Sequence, residues 1–248
     1  MKKRLSALLA SLLLAATTPS HAAFRASPVR IYLGPEAHSE LVTLSNHGDR
    51  TVRLQVVAQA WSESPLGEQL LAPTDELVVF PSLLTLGPGE SRQVRVGVVG
   101  VPPTREATYR VIVTELPEPD LPGAPHGVVI RTRLSLPVFA TPAAAVAHPR
   151  VTDLVLGPDG LDFTLVNDGT RHARVGALEV TFEDPKGKTA PTTIDGWYLL
   201  SGGRRDYHVA LPALGCVAHA RVVVPVEIGV DESTRLGSEA AAPARCAR

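Results

Sequence analysis

The sequence predicts an all-β protein built from two β-sandwich domains. Three observations point there. Apolar and polar residues alternate with period two in many short runs. Clusters of Gly, Pro, Asn and Asp separate those runs. No long stretch keeps the 3.6-residue period of an amphipathic helix.

The first element is not part of a domain. Lys2, Lys3 and Arg4 precede an apolar run from Leu5 to about Ala16, followed by Pro19-Ser20-His21-Ala22. This is the order of a secretory signal peptide over residues 1–22, cleaved after Ala22. The run is too short to span a bilayer comfortably. No later stretch reaches eighteen apolar residues, so the mature protein is not expected to be membrane-embedded. Removal of the peptide leaves 21 basic residues against 25 acidic ones. A chain with that balance lacks the basic field that non-specific nucleic-acid binding needs.

The first domain is expected over residues 24–143. Val52, Leu54 and Val56 alternate with Arg53 and Gln55, after the turn Asn46-His47-Gly48-Asp49. Val94, Val96 and Val98 follow Gly87-Pro88-Gly89-Glu90. The stretch Thr141–Pro149 holds two prolines and little patterning, and reads as a hinge. A second domain is expected over 149–230. There Leu161, Phe163 and Leu165 lie between Pro158-Asp159-Gly160 and Asn167-Asp168-Gly169, and Leu178, Val180 and Phe182 repeat the alternation. Residues 231–248 are small and polar and read as a loose tail, held only by Cys246. Cys216 and Cys246 are the two cysteines, and in an exported chain an even count permits a disulfide. Two unpaired thiols are the alternative.

Motifs for catalysis are missing from the sequence. It has no HExxH, no Cys/His cluster, no GxSxG, and no phosphate-binding glycine loop. Ser201-Gly202-Gly203-Arg204-Arg205 is glycine-rich but lies between strand-like segments, where a turn is the plain reading. No enzymatic activity, metal or cofactor is therefore expected. Trp61 and Trp197 read as core or domain-contact residues.

Gly127–Phe139, GVVIRTRLSLPVF, is the unusual strand. Val128, Val129 and Ile130 make both of its faces apolar, and Arg131 and Arg133 share one face. An edge strand of this kind offers unpaired backbone groups and apolar side chains to an incoming chain. Its arginines suit a terminal carboxylate. The same pattern also fits a central strand between two packed layers, with Arg131 and Arg133 solvated at the rim.

Several units, taken in order, resemble one family. They are Pro28-Val29-Arg30-Ile31-Tyr32-Leu33, Leu41–Asn46, Phe80-Pro81-Ser82 with Leu86–Val96, Tyr109-Arg110 with Glu115-Leu116-Pro117, Arg133–Phe139, and Gly196–Leu200. Over nearly the whole mature chain they resemble the periplasmic chaperones of chaperone–usher pilus assembly, most closely the archaic or spore-coat-like branch. The resemblance implies two immunoglobulin-like sandwiches set at an angle, in an L or boomerang shape. It implies that the chain binds pilin-like secreted subunits by donor-strand complementation and delivers them to an outer-membrane usher, without a nucleotide.

Carried over residue by residue, Arg30 is the anchor of the subunit's C-terminal carboxylate, with Arg133 or else Arg131 as its second cation. Val128, Ile130 and Thr132 are the donor residues. Arg110 and Glu115 are candidates for structural ion pairs near the domain junction, against a reading as ordinary surface charges. The rival function is a secreted structural or adhesive β-sandwich module.

Overall fold

The computed structural model describes residues 24–100, 104–117, 131–214, 216–229 and 233–246. Among them, the first ten strands are β1 (Phe24–Ser27), β2 (Ile31–Leu33), β3 (Ser39–Asn46), β4 (Val52–Glu63), β5 (Gln69–Pro73), β6 (Leu77–Phe80), β7 (Leu83–Leu86), β8 (Ser91–Val98), β9 (Ala107–Glu115) and β10 (Arg133–Ala140). They form two sheets, β1-β3-β8-β6 and β2-β10-β9-β4-β5, with β7 also on β4. The expected alternation is what buries the core. Val52, Leu54 and Val56 are inside, with Arg53, Gln55 and Val57 outside. They meet Val42, Leu44, Val94 and Val96 of the facing sheet. Each such side chain contributes about 1.5–3 kcal/mol by leaving water.

The first strand changes sheets. β1 runs antiparallel to β3, whereas β2 runs parallel to β10. Pro28 stands at the crossing, where a residue without an N–H cannot extend the first ladder. Phe24, Ile31 and Leu33 still reach one common core.

Residues 141–148 lead to the second sandwich: β11 (Pro149–Leu156), β12 (Gly160–Asn167), β13 (Ala173–Val175), β14 (Leu178–Glu183), β15 (Thr189–Ile194), β16 (Tyr198–Leu199), β17 (Arg204–Ala210), β18 (Cys216–Glu227) and β19 (Ser233–Cys246). One sheet is β11-β12-β17, and the other is β15-β14-β18-β13-β16, with β19 on β18. Phe163, Leu165, Val180, Phe182, Val222 and Val224 fill its core.

The two domains repeat one device. Asn46 ends β3 and Asn167 ends β12, and both are buried. The Asn46 amide donates to the carbonyls of Arg50, Leu86 and Gly87 at 2.7–3.0 Å, and its oxygen accepts from Gly48. Asn167 does the same with Arg171, Leu199 and Leu200, and its oxygen accepts from Gly169. Buried carbonyls at the turns thus find partners without water.

One expectation is corrected. Ser233–Cys246 is not a loose tail, because as β19 it pairs with β18 from Cys216↔Cys246 to Glu227↔Ser233. Its composition is mostly small or polar, so it carries little apolar signal of its own; pairing to β18 orders it, with Leu236 and Ala240 packed on the second core.

Candidate functional site: the half-open strand and the cleft

β10 is paired unequally on its two sides. β9 pairs all eight of its residues, from Arg133↔Thr114 to Ala140↔Ala107. β2 pairs only Val138, Phe139 and Ala140. Among the described residues, Arg133–Pro137 therefore have a ladder partner on one side only. The Glu115 N–H donates to the Thr132 carbonyl at 3.0 Å, so Thr132 faces β9. Alternation then turns the backbone groups of Arg133, Ser135 and Pro137 toward the open side. Thr132 also donates its own N–H to Glu115 Oε2 at 3.0 Å.

Side chains divide the same way. Leu134, Leu136 and Val138 pack into the first core. Arg133 and Ser135 are exposed on the other face, where Phe139 joins the domain contact. Of the expected donor residues, Thr132 shares the parity of Leu134 and Leu136. Val128 and Ile130 lie outside the described residues.

Register arranges that outer face in rows. Ser135, Ile112 and Val57 form one. Ile112 is buried, and Val57 is 42% exposed. Pro137, Arg110 and Gln59 form the next. The parallel pair Ile31↔Val138 brings Arg30, one residue earlier, level with Pro137. Arg110 is thus the β-strand cation level with Arg30. Arg133 lies four residues away along β10, about 13 Å at strand spacing. Arg30 makes no hydrogen bond or ion pair among the described residues.

The expected ion pairs of Arg110 and Glu115 are corrected. Five residues apart on β9, they point to opposite faces. Neither forms an ion pair among the described residues. The Arg110 guanidinium instead lies 3.7 Å over the Trp61 ring and 5.7 Å from that of Trp197. With the Gln69 amide turned so that its oxygen faces the guanidinium, Arg110 donates to it at 2.7 and 3.1 Å.

The second domain supplies the opposing wall. Tyr198, Arg174 and Glu227 form one row across β16, β13 and β18. Arg174 Nη1 donates to both Glu227 oxygens, at 2.7 and 2.9 Å. His172 lies against Phe139 with ring centroids 3.7 Å apart, and Tyr32 stacks on Phe139 at 5.6 Å. Trp61, Phe139, Tyr198 and Leu200 close the contact.

Glu106 ties the walls together. Its buried carboxylate accepts the His172 N–H at 2.8 Å, meets His172 Nδ1 at 2.8 Å and accepts the Thr141 hydroxyl at 2.6 Å. A carboxylate only accepts, so Nδ1 is assigned the proton. Beside it, Arg105 donates to the Gly169 carbonyl at 2.9 Å, and the Glu106 N–H to that of Thr170.

The cleft is cationic around one phenol. Burial raises the Tyr198 pKa, while Arg30, Arg110 and Arg174 each oppose the rise and Tyr32 adds to it. Burial also lowers the Arg110 pKa, against the pull of Tyr198 and Glu63. Sequence reasoning missed Arg174 and Glu227. Their strands are ordinary alternating runs, and only the ladder register brings them beside Tyr198.

Residues 23–145 match a family described as pili and flagellar-assembly chaperone, PapD N-terminal domain. A search of curated proteins found no match. Among solved structures, the chain is similar to the CsuC–CsuE chaperone–tip adhesion subunit pre-assembly complex from archaic chaperone-usher Csu pili of Acinetobacter baumannii. That likeness has 20% identity and a TM-score of 0.64, and covers 87% of this chain and 98% of that one. It is also similar to the E. coli chaperone DraB, at 20% identity and a TM-score of 0.56, over 87% and 96% of the two chains. The Pseudomonas aeruginosa CupB2 chaperone matches at 15% identity and a TM-score of 0.54, over 88% and 99%.

Proposed function

This chain belongs to the PapD-like family of pilus-assembly chaperones, and we propose that it completes its client by lending it the open edge of β10. It is a periplasmic, non-catalytic chaperone of chaperone–usher pilus biogenesis. Its clients are pilin-like subunits, and its recipient is an outer-membrane usher. The likeness to the Csu complex supports a place in the archaic branch.

The observation that carries the mechanism is the unequal pairing of β10. Outward backbone groups at Arg133 and Ser135 can bond an added strand. A carboxylate anchored at Arg30 sits at the Pro137 end of that edge. A chain ending there must therefore run parallel to β10. Val128, Ile130 and Thr132 are the donor residues in this reading. Thr132 shares the parity of Leu134 and Leu136, and the three donor residues would extend the first domain's core into the client's unfinished one. Arg131 and Arg133 fall on the opposite parity, along the rim of the added strand. Two domains locked through Glu106 hold the anchor and the edge at a fixed spacing.

The test is co-expression with the cognate subunit. Replacing Arg30→Ala removes the partner of a desolvated carboxylate, a loss of about 2–5 kcal/mol. The yield of complex should fall at least about thirtyfold, with the fold unchanged by circular dichroism. Equal yield from the variant would overturn the anchor. Subunit that accumulates as well without the chaperone would overturn the function.

A further inference from the structure

We infer that Arg174 is a second, C-domain cation for the client's carboxylate, and that Glu227 occupies it in the free protein as a stand-in. The inference rests on the anchor reading of Arg30.

The contact between Arg174 and Glu227 is lopsided. Both carboxylate oxygens sit on Nη1. Nε and Nη2 make no hydrogen bond among the described residues. A guanidinium presents five N–H donors in a planar fork, so the donors suited to a bidentate grip remain open. The pair is also accessible, with side chains 44% and 53% exposed. An exposed ion pair contributes only about 0–1 kcal/mol, so displacing it costs little.

Position supplies the rest. Tyr198 is the cross-strand neighbour of Arg174, and Glu227 is its neighbour on the other side. Tyr198 in turn lies 5.3 Å from Phe139, which also stacks on Tyr32, two residues after Arg30. Among the described residues, Arg30 has no hydrogen-bond or ion-pair partner on the N-domain wall, and Arg174 is half-engaged on the C-domain wall. A carboxylate entering between them meets donors from both domains. Glu227 then plays two parts. It keeps Arg174 oriented before loading, and it competes with the client for the same group.

The probe is a synthetic peptide of the last fifteen or so residues of the cognate subunit, made as the free acid and as the C-terminal amide. Binding is measured by calorimetry to wild type, Glu227→Gln, Arg174→Gln and the double variant. Glu227→Gln keeps the shape and removes the competing charge. It should bind the free acid about three- to fivefold tighter and the amide unchanged. Arg174→Gln should weaken the acid several-fold, and the double variant should show no gain over Arg174→Gln. The inference is overturned if Glu227→Gln leaves the affinity for the acid unchanged, or tightens acid and amide alike. Arg30→Ala separates the two readings. If it abolishes the preference for acid over amide while Glu227→Gln has no effect, only the present inference falls. If wild type binds acid and amide equally, the anchor falls with it. Both side chains are exposed, so thermal midpoints within about 2 °C of wild type confirm that folding is not the variable.

Discussion

His172 of the second domain lies flat on Phe139 of the first, with 3.7 Å between ring centroids and 16° between planes. Glu106 holds the imidazole there through two contacts at 2.8 Å. The relative placement of the domains thus depends on a buried carboxylate with all its partners in reach. Glu106→Ala would leave the His172 N–H, its Nδ1–H and the Thr141 hydroxyl without an acceptor. Each unmet donor costs about 1–3 kcal/mol. Urea unfolding should register a loss of about 2 kcal/mol or more. An unchanged midpoint would show that Glu106 does not couple the domains.

The open side of β10 gives a parity test. The backbone of Ser135 points away from β9, whereas that of Leu134 points into the ladder. Ser135→Pro should keep the fold and impair complex formation, because it deletes one outward N–H. Leu134→Pro should lose the fold itself, by about 3 kcal/mol or more. If both variants fold alike and load alike, the assigned orientation of the strand is wrong.

Glu63 offers a pH signature. Burial raises its pKa, although the Trp197 N–H, 2.8 Å away, and Arg205 and Arg110 pull the other way. An acid with a raised folded pKa adds stability that is full below its unfolded pKa. That stability is lost as pH rises through the folded pKa. Glu63→Gln keeps an acceptor for Trp197 and removes the ionisation. The variant should be more stable than wild type at pH 7–8, and the gap should close near pH 4. A gap that widens on acidification would reverse the sign assigned here.

The backbone register sets Cys216 opposite Cys246 at the base of the β18–β19 hairpin. A disulfide between them would close a loop of about thirty residues, worth roughly 3–4 kcal/mol in the chain-entropy picture. Peptide mapping of periplasmic protein without reductant should recover the two cysteines in one linked species. Recovery of two alkylated thiols would count against the bond.

Much of the fold was legible because alternation is a local property. Val52, Leu54 and Val56 announce a strand and its buried face without reference to any neighbour. The Asn46 and Asn167 turns were equally plain. Pairing is not local. Nothing within Ser233–Cys246 announces a strand, since its order comes from β18. Arg110 and Glu115 read alike as candidates for ion pairs at the domain junction, but strand parity sets them on opposite faces and Arg110 lies over Trp61 instead. Arg30 was found from the resemblance, but its level neighbour across Pro137 depends on a parallel register that no single run encodes. Arg174 and Glu227 had no signal at all before the row through Tyr198 was in view.

Pro137 gives the open margin an end. Its ring nitrogen faces the side where a new strand would lie, and it has no hydrogen to offer there. A chain annealing from the Arg133 end would lose its next bond at that position, level with the guanidinium of Arg30. On the anchor reading proposed above, the margin would work as a ruler: it would fix where a client must stop before it inspects what the client is made of.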